Sequence, residues 1–416
     1  MRFIFALLMS AALLFAADAT IEVVKEADSL PSIAVEDASI DYAGTPAKRF
    51  YRLLSGDLNV LTLFNVDHHY ATTHFDNPSV LNNMMDYTLR FRLRSDDLGA
   101  YLVDMKLLRE DRVVLQKSYR VANSSMSPFV AHAIAYDIND YFGQPPLEWL
   151  KRKIIISRLK GPMESEIVIA DYTLSYQHVI IKGGLNVFPK WADESHTAFY
   201  YTALSGKVPT LYKIDVRTGK RQAILRSDGM LVCSDVSHNG RELLLTMAPK
   251  GQPDIYLYDT VTKSAKRVTS YSGIDVNGQF MNDGRIVFVS NRLGYPNVFA
   301  KRVGEKRIEQ LVYYGKDNSA CSAHNEYIVY KARETSNAFG PNTFNLHLIS
   351  TKTDFIRRLT ATGINEFPRF SNDGDAIVYI KNYKQQSAIG VIRLEQNKNF
   401  LFPLTSGKIH FFAKII

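Results

Sequence analysis

The stretch FPRFSNDGDAIVYI, Phe367 to Ile380, reads as a β-hairpin: an aromatic-rich strand, an Asn-Asp-Gly turn, then the apolar run Ala376 to Ile380. Asn/Asp-Gly between strand-like runs is the strongest short-range hairpin signal, because these residues tolerate the positive φ such turns need. The pattern recurs as VNGQFMNDGRIVFVS from Val276, CSDVSHNGRELLLT from Cys233 and FPKWADESHTAFYYT from Phe188. Gly240 and Gly284 lie 44 residues apart and Gly284 and Gly374 lie 90 apart. The intervening copy is CSAHNEYIVYKA from Cys321, with Asn325-Glu326 at the turn, and the first copy turns at Asp193-Glu194. Phe188 to Gly407 therefore divides into five units of 44 residues. Self-similarity at such a period is the mark of a repeat architecture.

Within each unit the second strand is a near-continuous apolar run, such as Ile286 to Val289, which suits a strand buried on both faces. A breaker-rich loop follows, then a third strand such as DIYLYDT, then a more polar fourth such as KRVTS. Four strands in about 44 residues is the content of a β-propeller blade. A sixth unit is split. KIIISRL, EIVIADY and HVIIKGG, within residues 153–184, read as strands two to four with no first strand. At the other end, Ile409-His410-Phe411-Phe412 aligns with Ile364-Asn365-Glu366-Phe367. The expectation is that this last strand completes the first blade, closing residues 151–416 into a six-bladed all-β propeller and removing its open edges. Cys233 and Cys321 fall on innermost strands of blades that are not neighbours, too far apart for the roughly 7 Å Cα separation of a disulfide, so two buried free thiols are expected.

Residues 20–150 lack the repeat and read as a separate mixed α/β domain. SIAVEDASI and LNVLTLFNV are predicted strands flanking a helical AKRFYRLLSGD; DYTLRFRLRS, AYLVDMKLL and VLQKSYRV are predicted consecutive strands. SPFVAHAIAYDINDYF is a predicted helix with Ser127 as N-cap, Pro128 in its first turn and Gly143 beyond its end. His68, His69, His74 and Asp76 invite a metal assignment. Adjacent histidines point to opposite sides of a strand, however, so a polar surface loop is preferred and no metal is assigned.

Ahead of this domain, Arg2, the apolar Phe3 to Phe15 and the small Ala17 and Ala19 spell a cleavable secretory signal peptide over residues 1–19. No later run of about 18 apolar residues appears, so membrane association is expected only through partners. The net charge of +8 is spread thinly over 416 residues, which argues against a nucleic-acid footprint. G-x-S-x-G, H-E-x-x-H, Walker A and G-x-G-x-x-G patterns are all missing from the sequence. A rigid disk bearing loops favours a binding module over an enzyme, with no cofactor and no catalytic residue assigned. The alternative is a secreted propeller hydrolase or a channel ligand-binding protein.

The hairpin repeats, the split first blade, the preceding α/β domain and the signal peptide together resemble the TolB family of the Tol–Pal envelope system. INEFPRFSNDGDAIVYI carries the resemblance most fully, with GKIHFFAKII as closing strand and VLQKSYRV and AHAIAYDINDYFG in the first domain. The family's Pro-x-Trp-Ser-Pro-Asp-Gly consensus is intact nowhere, and among the hairpins only Trp191 keeps its tryptophan. The resemblance implies a periplasmic, monomeric, non-enzymatic adaptor supporting outer-membrane integrity and division. It implies docking of the peptidoglycan-associated lipoprotein, Pal, over one propeller mouth, at positions matching Met230, Cys233, Asp275, Val276, Asn318, Asn365, Glu366 and His410. It also implies that the mature N-terminus, residues 20–29 with Ile21, Glu22, Val23, Val24 and Lys25, contacts TolA, where an extended segment could add a strand to a partner's sheet.

Overall fold

The computed structural model describes residues 30–40, 44–78, 84–334, 342–383, 386–404 and 408–412. The signal peptide and the segment holding Ile21, Glu22, Val23, Val24 and Lys25 lie outside the described residues.

The N-terminal domain is a sheet with two helices. Strand β1 (Ser32–Asp37) pairs in parallel with β2 (Asn65–Val66), β3 (Ala71–Thr72) and β4 (Tyr87–Ser95). Strands β4, β5 (Tyr101–Arg109) and β6 (Arg112–Val121) follow as an antiparallel meander. Helix α1 (Thr45–Leu61) starts with a proline in its first turn and ends at Thr62 in the left-handed conformation. Leu58, Val60 and Leu61, expected as the start of a strand, are its last turn; only Asn65–Val66 of LNVLTLFNV is extended. Leu54, Leu58 and Leu61 keep to one helical face, and burial of that face outweighs the strand preference of Val60. Helix α2 (Ser127–Tyr141) also differs at its start. Ser127 is already helical, Met126 occupies the cap position without a side-chain bond, and Asn123 caps the short turn immediately upstream by accepting from the Ser125 N–H. Phe50, Leu54, Phe91, Val103, Ile134 and Ile138 from both helices and the sheet form the domain's core.

The histidine-bearing loop is anchored by Arg90. This guanidinium is buried, pairs with Glu36 at 2.7 Å, and donates to the carbonyl oxygens of His74, Phe75 and Asn77. His69 bonds Asp67 and Asp76 bonds Lys106, so among the described residues no group of three or more ligand-type side chains gathers there for a metal.

The C-terminal part is a β-propeller built of antiparallel sheets. Residues 186–226, 231–267 and 275–310 each form a four-stranded sheet in chain order. Residues 316–403 form an eight-stranded sheet, whose two four-stranded halves are joined by the single parallel pair Phe344 with Ile364. Strand Lys408–Phe412 pairs with Ile154–Gly161 and so stands at the front of a sheet whose other strands are Glu164–Ala170 and Gln177–Ile181. Gly240, Gly284 and Gly374 have φ of 70, 81 and 77°, as their turns require. In the Asn-Asp-Gly turn the Asp373 carboxylate accepts from Ser371 Oγ and the Asp375 N–H, a local role. Cys233 and Cys321 are buried and free.

One hydrophobic cluster crosses from the first domain into the propeller, joining Leu54 and Ile134 to Trp149, Ile156, Tyr172, Val378 and Val391. At this seam His132 of α2 lies fully buried between Asp57 of α1, at 2.7 Å, and Asp171 beside the strand Glu164–Ala170, at 3.1 Å.

Candidate partner-binding site

The leading strands touch in succession from Asn186–Trp191 to Ile364–Phe370, Lys408–Phe412 touches Asn186–Trp191, and each carries a bulge that breaks its pairing register. Phe188, Asn277, Ala320 and Phe367, at or beside the bulges of four strands, adopt φ of 54, 58, 50 and 50°. Non-glycine residues avoid this left-handed region at a cost of about 1 kcal/mol each, and bulges serve to re-aim side chains. All four line a central cavity of about 310 Å³ together with Pro189, Val232, Val276 and Met230. The bulges thus turn aromatic, apolar and amide groups into one mouth.

The positions singled out in the sequence divide into two groups here. Met230 is 47% exposed and, with Cys233 and Val276, borders the mouth. Glu366 sits behind it, bonded to Lys331 at 3.1 Å and to Asn382. Asp275, Asn318 and Asn365, by contrast, are fully buried and occupied within the protein. Asp275 pairs with Arg292; Asn318 donates to Tyr314 O and Asn297; Asn365 donates to Phe344 O, Thr362 O and Asn345. These side chains brace the entry into three of the leading strands, using the hydrogen bonds and the ion pair that buried polar groups need. His410 lies on the closing strand, and its side chain is outside the described residues.

Residues that sequence reasoning passed over are the cations of the cavity. Lys190, Lys331 and Arg369 line it, and among the described residues no carboxylate does. Lys190 Nζ bonds Asp235 at 2.6 Å. Arg369 reaches back to the preceding leading strand, donating to Cys321 O at 3.0 Å, while Asn277 donates to the same oxygen and Gln279 bonds Ser234 O. These bonds stitch neighbouring leading strands together. Burial pushes both thiols up to about 12, which disfavours the thiolate form. A second, larger cavity of about 510 Å³ also borders Lys190 but is lined by Asp193, Glu194, Asp235 and Glu242 with His238 and His324. The centre of the propeller is therefore electrostatically polar, cationic at one cavity and acidic at the other. The repeat spacing could have exposed two of the three: Lys190 and Arg369 occupy the same place, immediately before Trp191 and Phe370, in the first and last full hairpins.

The family model of the TolB beta propeller domain matches residues 153–413. Over 98% of its length the chain is 48% identical to the Tol-Pal system protein TolB of Wolinella succinogenes, covering 99% of that relative. It is 41% identical to the corresponding protein of Helicobacter hepaticus, over 99% of this chain and all of the relative. The crystal structure of TolB from Acinetobacter baumannii superimposes with a TM-score of 0.74 at 20% identity, covering 93% of this chain and 96% of that one, which supports the fold. With a matched propeller and near-complete coverage of such relatives, the chain belongs to the TolB family of Tol-Pal system proteins.

Proposed function

We propose that this chain is an exported, non-enzymatic, monomeric adaptor of the periplasm. In this reading residues 1–19 are removed, residues 20–150 form the first domain, and residues 151–416 form a six-bladed ring closed by Lys408–Phe412. The ring presents its bulged mouth to the peptidoglycan-associated lipoprotein, and the mature N-terminus, residues 20–29, engages TolA. Binding both partners links the inner and outer membranes and supports envelope constriction at division. The observation that carries the reading is the mouth itself: exposed Met230 and the apolar wall of Phe188, Val232, Val276 and Phe367 converge on a rigid scaffold. Rigid scaffolds with converging loops are where recognition concentrates, and an apolar centre with a polar rim is the anatomy of a protein interface. Asp275, Asn318 and Asn365 contribute by holding the loops in shape, and Met230, Val276 and Glu366 by contact.

Capture of the lipoprotein's soluble domain by the mature chain tests this. Met230→Asp combined with Val276→Asp should weaken capture about a hundredfold, as loss of a desolvated hot spot does, with the circular dichroism spectrum unchanged. Undiminished capture by a folded variant rejects the mouth as the docking surface. Deleting residues 20–29 should abolish TolA binding and leave lipoprotein binding intact; loss of both rejects the separate role of that segment.

A further inference from the structure

Arg369 is buried at the centre of the propeller, and among the described residues it forms no ion pair with a carboxylate, feeling only the more distant pull of Asp235. One terminal nitrogen is used on Cys321 O and Pro368 O, at 3.0 and 3.2 Å; Nε has no hydrogen-bond partner among the described residues. Asp235, the acid whose charge reaches it, is already held by Lys190 Nζ. Glu366 is likewise committed to Lys331 and Asn382. Leaving a buried guanidinium without an anion costs several kcal/mol, and folded proteins retain such a group where something else supplies the charge. The 310 Å³ cavity beside it is large enough for a small molecule's polar end or one inserted side chain, and its charged lining is wholly cationic. Ser234, Ser319 and Asn277 add neutral polar groups.

From this geometry we infer that the cavity is a carboxylate-binding site with Arg369 as its ligand, Lys331 and Lys190 lining it while paired with Glu366 and Asp235. The planar guanidinium fork matches a carboxylate in two parallel bonds, which a lysine in its place could not reproduce. The carboxylate comes either from a free small acid or from an acidic side chain of the protein seated over the mouth. The site does not depend on the adaptor reading; only the second source rests on it.

Calorimetric titration of the mature chain with sodium acetate, against sodium chloride at constant ionic strength, tests the inference. Saturable one-site binding is expected for the wild type and for the surface control Lys220→Gln. Arg369→Gln should weaken it by about tenfold or more, the worth of a charge-assisted bond, and Arg369→Lys should fall between. Equal binding by wild type and Arg369→Gln, or no saturable binding at all, overturns the assignment. Should Arg369→Gln fail to fold, Ser319→Asp provides a carboxylate in the cavity while keeping Arg369. It should raise the thermal midpoint and abolish acetate uptake, and unchanged uptake there is equally fatal. A final arm separates the sources. Acetate that displaces the captured lipoprotein in proportion to its occupancy identifies a partner's acidic side chain, and acetate that binds without displacing it identifies a free acid.

Discussion

At the scale of single residues, the buried polar groups hold this molecule together across the seam between its parts. Burial alone would pull the His132 imidazole down, but Asp57 and Asp171 more than offset that and push it to about 10. His132 therefore sits as an imidazolium donating from both ring nitrogens, while the Tyr172 hydroxyl donates to Asp57. Asp171 is held below its usual range: burial raises it, but His132, Thr173 and the Tyr176 N–H prevail. A group whose folded pKa is raised contributes stability that is complete below its unfolded value of 6.5 and is lost as pH climbs towards 10. A group whose folded pKa is lowered contributes above about 3.8 and is lost on acidification. Stability from this cluster should thus be greatest between about pH 4 and 6.5, then decline by up to about 1.4 kcal/mol per unit towards pH 10. Thermal melts at pH 6, 8 and 9.5 should show that decline in the wild type. His132→Asn should be destabilised by about 3–5 kcal/mol at pH 6 and lose the slope. A wild-type slope retained in the variant would assign the pH dependence elsewhere. None of this was legible in the sequence, because Asp57, His132 and Asp171 are separated by 75 and 39 residues and lie on two helices and a connection after a strand.

At the scale of elements, the hairpin repeat was readable because turn chemistry and strand pattern are local. Asn-Asp-Gly and its variants announce the turn, and the apolar run after it announces a strand covered on both faces. The bulges at Phe188 and Phe367 were not readable, since these are ordinary strand formers with no local reason to adopt a positive φ, whereas Asn277, followed by Gly278, is a residue type that tolerates it. These residues sit where leading strands touch one another, a setting in which bulges concentrate. LNVLTLFNV failed for the opposite reason: a local strand preference gave way to the buried face of α1. Close approach also constrains one strand of the last sheet. Gly390 faces Tyr379 across the pairing, and a Cβ there would stand 2.1 Å from the buried tyrosine ring. Gly390→Ala should cost about 1–3 kcal/mol by overpacking, read as a lowered denaturation midpoint. Tyr379→Leu in the same chain should recover part of that loss; strictly additive destabilisation would place the clash elsewhere.

At the scale of the molecule, the two parts share one core and are tied by ionic contacts. Arg393, from the last sheet, pairs with Asp375 and donates to the carbonyls of Val60 and Leu61 at the C-terminus of α1, where the helix dipole favours a cation. Ile409 is buried on the strand that covers Ile154–Gly161. Truncation after Pro403 should uncover that edge, lower the thermal midpoint and shift the chain towards higher-order species in size-exclusion chromatography. A monomeric, fully stable truncation would show that Lys408–Phe412 is not needed to cover that edge. The sequence by itself determined the repeat, its period, the strand content and the family, because these rest on residue types at short or regular spacing. Only the tertiary structure decided that Asp275, Asn318 and Asn365 face inward as braces, and that Lys190, Lys331 and Arg369 meet in one cavity. Side-chain direction at a bulge, and the company a buried charge keeps, depend on which distant strands arrive beside it, and no local pattern encodes that.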